Sequence, residues 1–79
     1  MWKEGTIGIP NKNGGYKVVH YWIKVYDIGS QYGINGGKIS KLTLKLDGKT
    51  IANYDRGWDI EPNSEEANLA LSILLNEHN

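Results

Sequence analysis

The pattern of apolar and polar positions divides the chain into a strand-rich part and a helical end. Residues 16–27 give the strongest strand signal, because β-branched and aromatic side chains dominate them. Both faces of this run are largely apolar, which is typical of a central strand that is covered on each side. Alternating runs at 2–9, 38–46 and 49–55 predict further strands. Because the connections are short, we expect these strands to form an antiparallel sheet.

The dipeptide Asp-Gly at 47–48 is the clearest hairpin signal in the chain. Between two alternating runs it predicts a two-residue type I′ turn, because both positions tolerate a positive φ. The register that follows pairs Leu44 with Ile51 and Lys41 with Tyr54. Tyr54 is then predicted to lie beside Lys41, on the sheet face opposite the leucines, where a cation–π contact of about 0.5–1 kcal/mol can form.

After residue 62 the apolar period changes to that of a helix, predicted over 64–76. Asn63 is the predicted N-cap, with Glu66 at the third helical position to complete a capping box. Acidic residues near this end favour the positive end of the helix dipole. The apolar stripe that would pack on the sheet comprises Ala67, Ala70, Leu71, Leu74 and Leu75.

These elements predict an α+β fold: a four-stranded antiparallel β-meander with one C-terminal α-helix packed on one face. Residues 1–79 form a single domain, with the sheet at 2–55, a hinge loop at 56–62 and the helix at 64–76. One helix covers one face of the sheet. The opposite face is then expected to expose aromatic and basic side chains, and monomers rarely leave a large apolar patch uncovered.

Composition removes several kinds of site. The 79 residues include no cysteine, which excludes disulfides, thiolate zinc sites and cysteine nucleophiles. Nine basic and nine acidic residues give a formal net charge of zero, so no overall field attracts nucleic acid. No apolar run approaches the length of a membrane span. We therefore expect a cytoplasmic protein with no membrane association.

The hinge loop and the segment before it combine carboxylates, an arginine and aromatic rings in Tyr-Asp-Arg-Gly-Trp-Asp at 54–59. The architectural interpretation is that Asp55 and Asp59 orient Arg56 while Trp58 closes the core. No catalytic residue, metal ligand or cofactor is predicted, because no metal-ligand spacing is present and a small domain has little room for a cleft.

The glycine-rich segment 28–37 does not match a phosphate-binding loop, because a strand rather than a helix follows it. Backbone amides of such a segment can still form an anion-binding concavity. A pocket that joined Gly33–Gly37 to Asp55 and Arg56 would favour a small enzyme or a ligand-binding module.

Three segments carry a family resemblance: 29–34 (GSQYGI), 38–42 (KISKL) and 54–59 (YDRGWD), together with the start at 2–6. Through them the chain resembles a family of small uncharacterised proteins, a domain of unknown function, from Clostridium- and Streptococcus-type bacteria and their phages. The resemblance implies a small phage or mobile-element accessory protein, of the kind that binds host proteins, defence nucleases included. It implies no activity.

The leading functional hypothesis is a non-enzymatic protein-interaction module that binds or inhibits a host protein or associates with itself. Tryptophan, tyrosine and arginine are enriched in binding hot spots. An alternative is a single-stranded nucleic-acid-binding protein that uses Lys41, Lys45 and Trp22 on a basic and aromatic sheet face. Asp55, Gly57 and Asp59 are assigned to the structure of the hinge. The predicted contact residues are Trp22, Tyr26, Lys41, Lys45, Tyr54, Arg56 and Trp58.

Overall fold

The computed structural model describes residues 1–78, which form an antiparallel sheet with a C-terminal helix on one face. The α+β prediction is confirmed, but the sheet formed by these residues has five strands rather than four, in chain order across the sheet. A short 3-10 turn, Ile34–Gly36, lies in the loop between the second and third strands. The elements are β1 Trp2–Pro10, β2 Tyr16–Val25, β3 Ile39–Leu46, β4 Lys49–Asp55, β5 Trp58–Ile60 and α1 Glu65–His78.

The extra strand, β5, lies inside the predicted hinge loop. Asn53 pairs with Ile60 and Tyr54 pairs with Trp58, so the chain turns back on β4 before it reaches the helix. The turn depends on Arg56, whose φ is 59°. A three-residue strand shows no alternating pattern, and arginine is not among the residues that signal a positive φ. The prediction that 56–62 is only a loop is therefore wrong.

The hairpin between β3 and β4 has the predicted turn but a different register. Asp47 and Gly48 have φ values of 53° and 77°, as a type I′ turn requires. A register shift between Leu44 and Lys45 then pairs Leu44 with Ala52, where Ile51 was predicted. Beyond this point every side chain of β4 faces the side opposite to the predicted one.

Tyr54 shows the consequence of that shift. It pairs with Leu42 rather than with Lys41, whose partner is Asp55. Tyr54 is only 8% exposed and belongs to the core cluster. The prediction that Tyr54 lies beside Lys41 on the uncovered face is wrong, because a single bulged residue reverses the two faces of a strand.

The core lies between the helix and one face of the sheet. The helix packs across β1, β2 and β3. It buries Ala67, Ala70 and Leu74, as its predicted stripe requires. The sheet contributes alternate residues of β2 and β3, together with the residue that begins β3. The large, fully buried side chains are Val19, Ile23, Ile39, Leu42, Leu44 and Leu74.

The helix begins with a different cap from the predicted one. The hydroxyl oxygen of Ser64 accepts a hydrogen bond from the Ala67 N–H at 3.1 Å, so Ser64 rather than Asn63 is the N-cap. Glu66 is then the second helical residue and not the third, and the predicted capping box does not form. Its carboxylate instead accepts a hydrogen bond from Lys17 Nζ of β2 at 3.0 Å.

Glu66 gives the fold a defined dependence on pH. A hydrogen bond from its own backbone amide, followed by the hydrogen bond and charge of Lys17, lowers the pKa of the Glu66 carboxyl below its ordinary value of 4.5. A lowered folded-state pKa stabilises the protein above the unfolded-state pKa, and this contribution is lost as pH falls through the folded-state value.

We expect Glu66→Gln to lower the melting temperature at pH 7 and to have no effect at a pH below the folded-state pKa of Glu66. Glu65→Gln, on the exposed neighbouring residue, is the matched control, and it should change the melting temperature less at pH 7. Thermal unfolding followed by circular dichroism at both pH values measures the difference. A Glu66→Gln effect that persisted in acid would contradict this assignment.

Candidate functional site

The sheet face opposite the helix is uncovered, and we call it the open face. Cα partners in an antiparallel sheet point to the same side, so the register defines this face. One row across the strands is Trp2, Lys24 and Lys41, and the next contains Trp22 and Thr43. The open face includes Trp2, Glu4, Thr6, Val18, His20, Trp22, Lys24, Lys41, Thr43, Lys45, Asn53 and Asp55.

Basic and aromatic side chains alternate on the open face and contact one another. Lys45 Nζ lies 5.8 Å from the ring centre of Trp22. Lys24 Nζ lies 5.9 Å from the ring centre of Trp2 and 5.5 Å from that of Tyr26. Exposed cation–π contacts of this kind contribute about 0.5–1 kcal/mol each. The rings hold the ammonium groups at the surface, and Trp2 remains 58% exposed.

Charge is distributed unevenly although its sum is zero. The open face carries Lys24, Lys41 and Lys45 together with two acidic residues, Glu4 on β1 and Asp55 on β4. Glu61, Glu65 and Glu66 lie at and before the start of the helix, where they favour the positive end of its dipole. The basic surface is therefore local, and the zero net charge in the composition conceals it.

The predicted contact residues do not all lie together. Trp22, Lys41 and Lys45 lie on the open face, and Tyr26 lies at its end beside Lys24. Tyr54 and Trp58 pack instead at the core side, with ring centres 5.0 Å apart and ring planes at 72°.

The hinge aspartates do not hold Arg56 as predicted. Asp55 lies 3.8 Å from Lys41 Nζ, and Asp59 is exposed in the middle of β5. The Arg56 guanidinium lies over the ring of Tyr32, 5.4 Å from its centre. Gly57 completes the turn, because its carbonyl accepts the Asp55 N–H at 2.9 Å. Arg56 is thus directed toward the glycine-rich loop.

That direction creates a cleft at the end of the open face, which we call the cation cleft. Its volume is about 230 Å³. The ends of β2 and β3, the glycine-rich loop and the β4–β5 turn each contribute to it. It is lined by Lys24, Tyr26, Ser30, Tyr32, Ser40, Lys41 and Arg56.

The glycine-rich loop is held in place by backbone hydrogen bonds. Tyr26 N–H donates to the Lys38 carbonyl at 2.9 Å, and Ser30 N–H donates to the Gly37 carbonyl at 3.2 Å. The Tyr54 hydroxyl donates to the Tyr32 carbonyl at 2.8 Å and ties the loop to β4. The loop therefore presents Ser30 and Tyr32 at a fixed position beside Arg56.

Sequence reasoning missed most of this cleft. Ser30, Tyr32 and Ser40 were not assigned to a site, and Lys24 was not among the predicted contact residues. The available signal was the register, because an antiparallel pairing of β2 with β3 brings Lys24 opposite Lys41. The predicted pocket between Gly33–Gly37, Asp55 and Arg56 does not form as such, because the cleft beside Arg56 is lined by Ser30 and Tyr32 of the glycine-rich loop and not by Gly33–Gly37 or Asp55.

Metal binding and membrane insertion are two further possibilities for residues 1–78. Histidine and carboxylate side chains within this range form no group of three that could hold a metal ion. The helix in this range is not both long and apolar enough to cross a membrane.

Comparison with curated proteins and with solved structures gave no match. A family model described as a domain of unknown function matches residues 1–79, which extends beyond the segments that carried the resemblance. The predicted membership of a family described as a domain of unknown function is confirmed. The chain belongs to the family Domain of unknown function (DUF7678).

Proposed function

We propose that this chain is a non-enzymatic interaction module that binds an acidic surface of a partner protein through its open face. The observation that carries the proposal is the set of tryptophans and lysines, exposed at Trp2 and Lys45 and half-buried at Trp22 and Lys24, on a sheet face that the helix leaves uncovered. Monomers rarely expose large apolar patches, and those that do generally use them for binding.

The side chains of the open face suit an interface with an acidic partner. Trp2 and Trp22 offer large rigid rings, a residue type that recurs at binding hot spots. Lys24 and Lys45 lie against these rings. Their charges would attract carboxylates and speed association, more strongly at low salt. The resemblance to bacterial and phage proteins supports a role as an accessory protein that binds or inhibits a host protein.

A double variant, Trp22→Thr with Lys45→Gln, tests the open face. We expect it to weaken partner binding about 30-fold or more, since the loss of one hot spot costs about 2 kcal/mol. Leu69→Ser, a change of an exposed apolar residue on the helix, is the matched control and should bind normally. The partner is captured from host lysate with tagged wild-type protein, and its affinity for each variant is then measured by calorimetry.

Equal affinity of the double variant and the control, with both folded by circular dichroism, would exclude the open face as the contact surface. Recovery of the same partner in equal amounts by an unrelated basic protein would also count against the proposal. It would show attraction by charge alone.

A second candidate, single-stranded nucleic-acid binding, has its own supporting observation. Lysine ammonium groups lie over indole rings on an exposed sheet, and such rings can stack on bases at about 1–3 kcal/mol per base. Fluorescence anisotropy with a labelled oligothymidine strand at low and physiological salt separates the candidates. Binding at low salt that the Trp22→Thr change removes would favour nucleic acid. No binding at low salt would eliminate it.

A further inference from the structure

The cation cleft has a strongly positive lining. Lys24, Lys41 and Arg56 all contribute to it, and its described lining residues include no carboxylate. Asp55 lies at its margin, 3.8 Å from Lys41 Nζ, with its side chain 52% exposed. An ion pair this exposed contributes little, because water and salt screen it. The cleft therefore carries an excess of positive charge.

The two lysines repel one another, and the exposed Asp55, which pairs with Lys41 on its other side, offsets this only in part. Lys24 and Lys41 are direct cross-strand partners on neighbouring strands. Like charges in this arrangement destabilise a sheet. Lys24 Nζ is held near the ring of Tyr26, which fixes the ammonium group at the cleft without neutralising it. A bound anion between the lysines would relieve the repulsion.

Arg56 is brought to the same cleft by an unfavourable backbone conformation. Its φ of 59° is in the left-handed region, which costs a residue other than glycine about 1–2 kcal/mol. Its N–H donates a hydrogen bond of 3.4 Å to the Ser40 carbonyl, and its guanidinium lies over Tyr32. Strain of this kind persists where the surrounding structure enforces it, and it is concentrated at functional sites.

Hydroxyl groups complete the lining. Ser30 Oγ accepts the Tyr32 N–H at 3.2 Å, which leaves its own hydrogen available to a ligand. Ser40 Oγ donates to the Lys24 carbonyl over a long 3.5 Å, a weak bond that a ligand oxygen can replace. Arginine, lysine and hydroxyl donors together match the oxygens of a phosphate group, which arginine binds with two parallel hydrogen bonds.

We propose that the cation cleft binds the phosphate group of a mononucleotide. The volume of about 230 Å³ accommodates a phosphate group and is below the roughly 300 Å³ at which pockets for drug-sized ligands begin. The base therefore lies outside the cleft. Tyr26 and Tyr32 line the cleft and are 48% and 50% exposed, so their rings are accessible for stacking. This proposal does not rest on the partner that the open face binds, although Lys24 and Lys41 belong to both surfaces.

The proposal is tested by titration of the full chain with adenosine monophosphate, followed by calorimetry and by amide chemical shifts of Ser30, Tyr32 and Ser40. Adenosine, which lacks the phosphate, should bind at least about 10-fold more weakly, because charge-assisted hydrogen bonds are lost. Glycerol phosphate should also bind at least about 10-fold more weakly, because it offers no ring to stack. Affinity should fall between pH 7.5 and pH 5, since the second phosphate pKa is about 6.

Arg56→Gly removes the guanidinium and relieves the positive φ, so this variant should remain folded while it binds the nucleotide about 10-fold more weakly. Lys49→Gln is the matched control for loss of one positive charge. Lys49 pairs with Leu46 at the far end of the hairpin, about 17 Å along the strand from Lys41. Lys49→Gln and Trp22→Thr should bind the nucleotide as the wild type does.

Three results would overturn the proposal. They are equal affinity for adenosine and its monophosphate, equal affinity for glycerol phosphate and the nucleotide, and equal losses from Arg56→Gly and Lys49→Gln. Because Trp22 lies outside the cleft lining, Trp22→Thr separates this site from the open-face interface. The experiments can therefore refute nucleotide binding by the cleft without refuting partner binding by the open face, and they can refute partner binding without refuting nucleotide binding.

Discussion

Leu44→Ala is expected to lower the free energy of unfolding by about 3–5 kcal/mol, the upper part of the range for a buried leucine. Leu44 is 0% exposed in the middle of β3, the central strand of the sheet. Its cross-strand partners are Tyr21 and Ala52. A small partner on one side cannot fill the space that the lost methyl groups leave, so a cavity remains.

For a chain of this length the total stability is about 4–12 kcal/mol, so the substitution removes about a quarter of it or more. Leu69→Ala, at a residue 42% exposed on the helix, is the matched control and should change stability by less than about 1 kcal/mol. Urea unfolding followed by tryptophan fluorescence measures both. Similar midpoints for the two variants would show that β3 is not the centre of the core.

The core could be predicted from sequence because burial on a sheet follows a period of two. The alternation of Leu42 and Leu44 with polar residues is sufficient to identify the buried face of β3. In β2 both faces are largely apolar, so the alternation is less decisive there, and Val19 and Ile23 lie on the buried face; all four residues are at most 1% exposed. A pattern of this kind depends on local sequence alone, so it is reliable within one strand.

The register between strands was not determined by that pattern. The turn at Asp47 and Gly48 was identified correctly, and it sets the pairing of the residues beside it. The bulge opposite the step from Leu44 to Lys45 adds one residue, Ile51, to β4, and no residue type in the sequence signals it. The predicted face of Tyr54 is therefore wrong. Two of the predicted contact residues, Tyr54 and Trp58, pack at the core side instead.

The cation cleft could not be predicted for a different reason. Its lining comes from four separate segments, at 24–26, 30–32, 40–41 and 56. None of these segments indicates a binding site by itself. They come together because the ends of β2 and β3 pair and because the backbone of Arg56 turns its side chain toward the loop. The zero net charge excludes an overall field that attracts nucleic acid, but a sum over the chain carries no information about where charges lie and so does not indicate the cleft.

Gly33→Ala is expected to destabilise the protein by about 3 kcal/mol, at the upper end of the cost of overpacking, and to abolish nucleotide binding in the cation cleft. The φ of Gly33 is −76°, so its backbone suits any residue and the constraint is space. A Cβ at this position would overlap the Gly37 carbonyl oxygen and lie 2.8 Å from its carbonyl carbon. Backbone cannot rotate away as a flexible side chain can.

The loop would have to open to admit the methyl group. Opening would break the hydrogen bond from Gly33 N–H to the Ser30 carbonyl, 3.0 Å long, and would move Ile34, which is 2% exposed, out of the core. Ser30 and Tyr32 would then leave the cation cleft, so the loss of stability and the loss of binding have one cause.

Gly57→Ala is the matched control for this substitution. A Cβ at Gly57 would meet no heavy atom within 4 Å, and its φ lies outside the left-handed region. The control should therefore be neutral, or stabilising by about 0.4–1 kcal/mol through the unfolded state. Urea unfolding and nucleotide titration are measured on both variants. Equal stability of the two, or nucleotide binding retained by Gly33→Ala, would show that the loop tolerates expansion and does not hold the cleft.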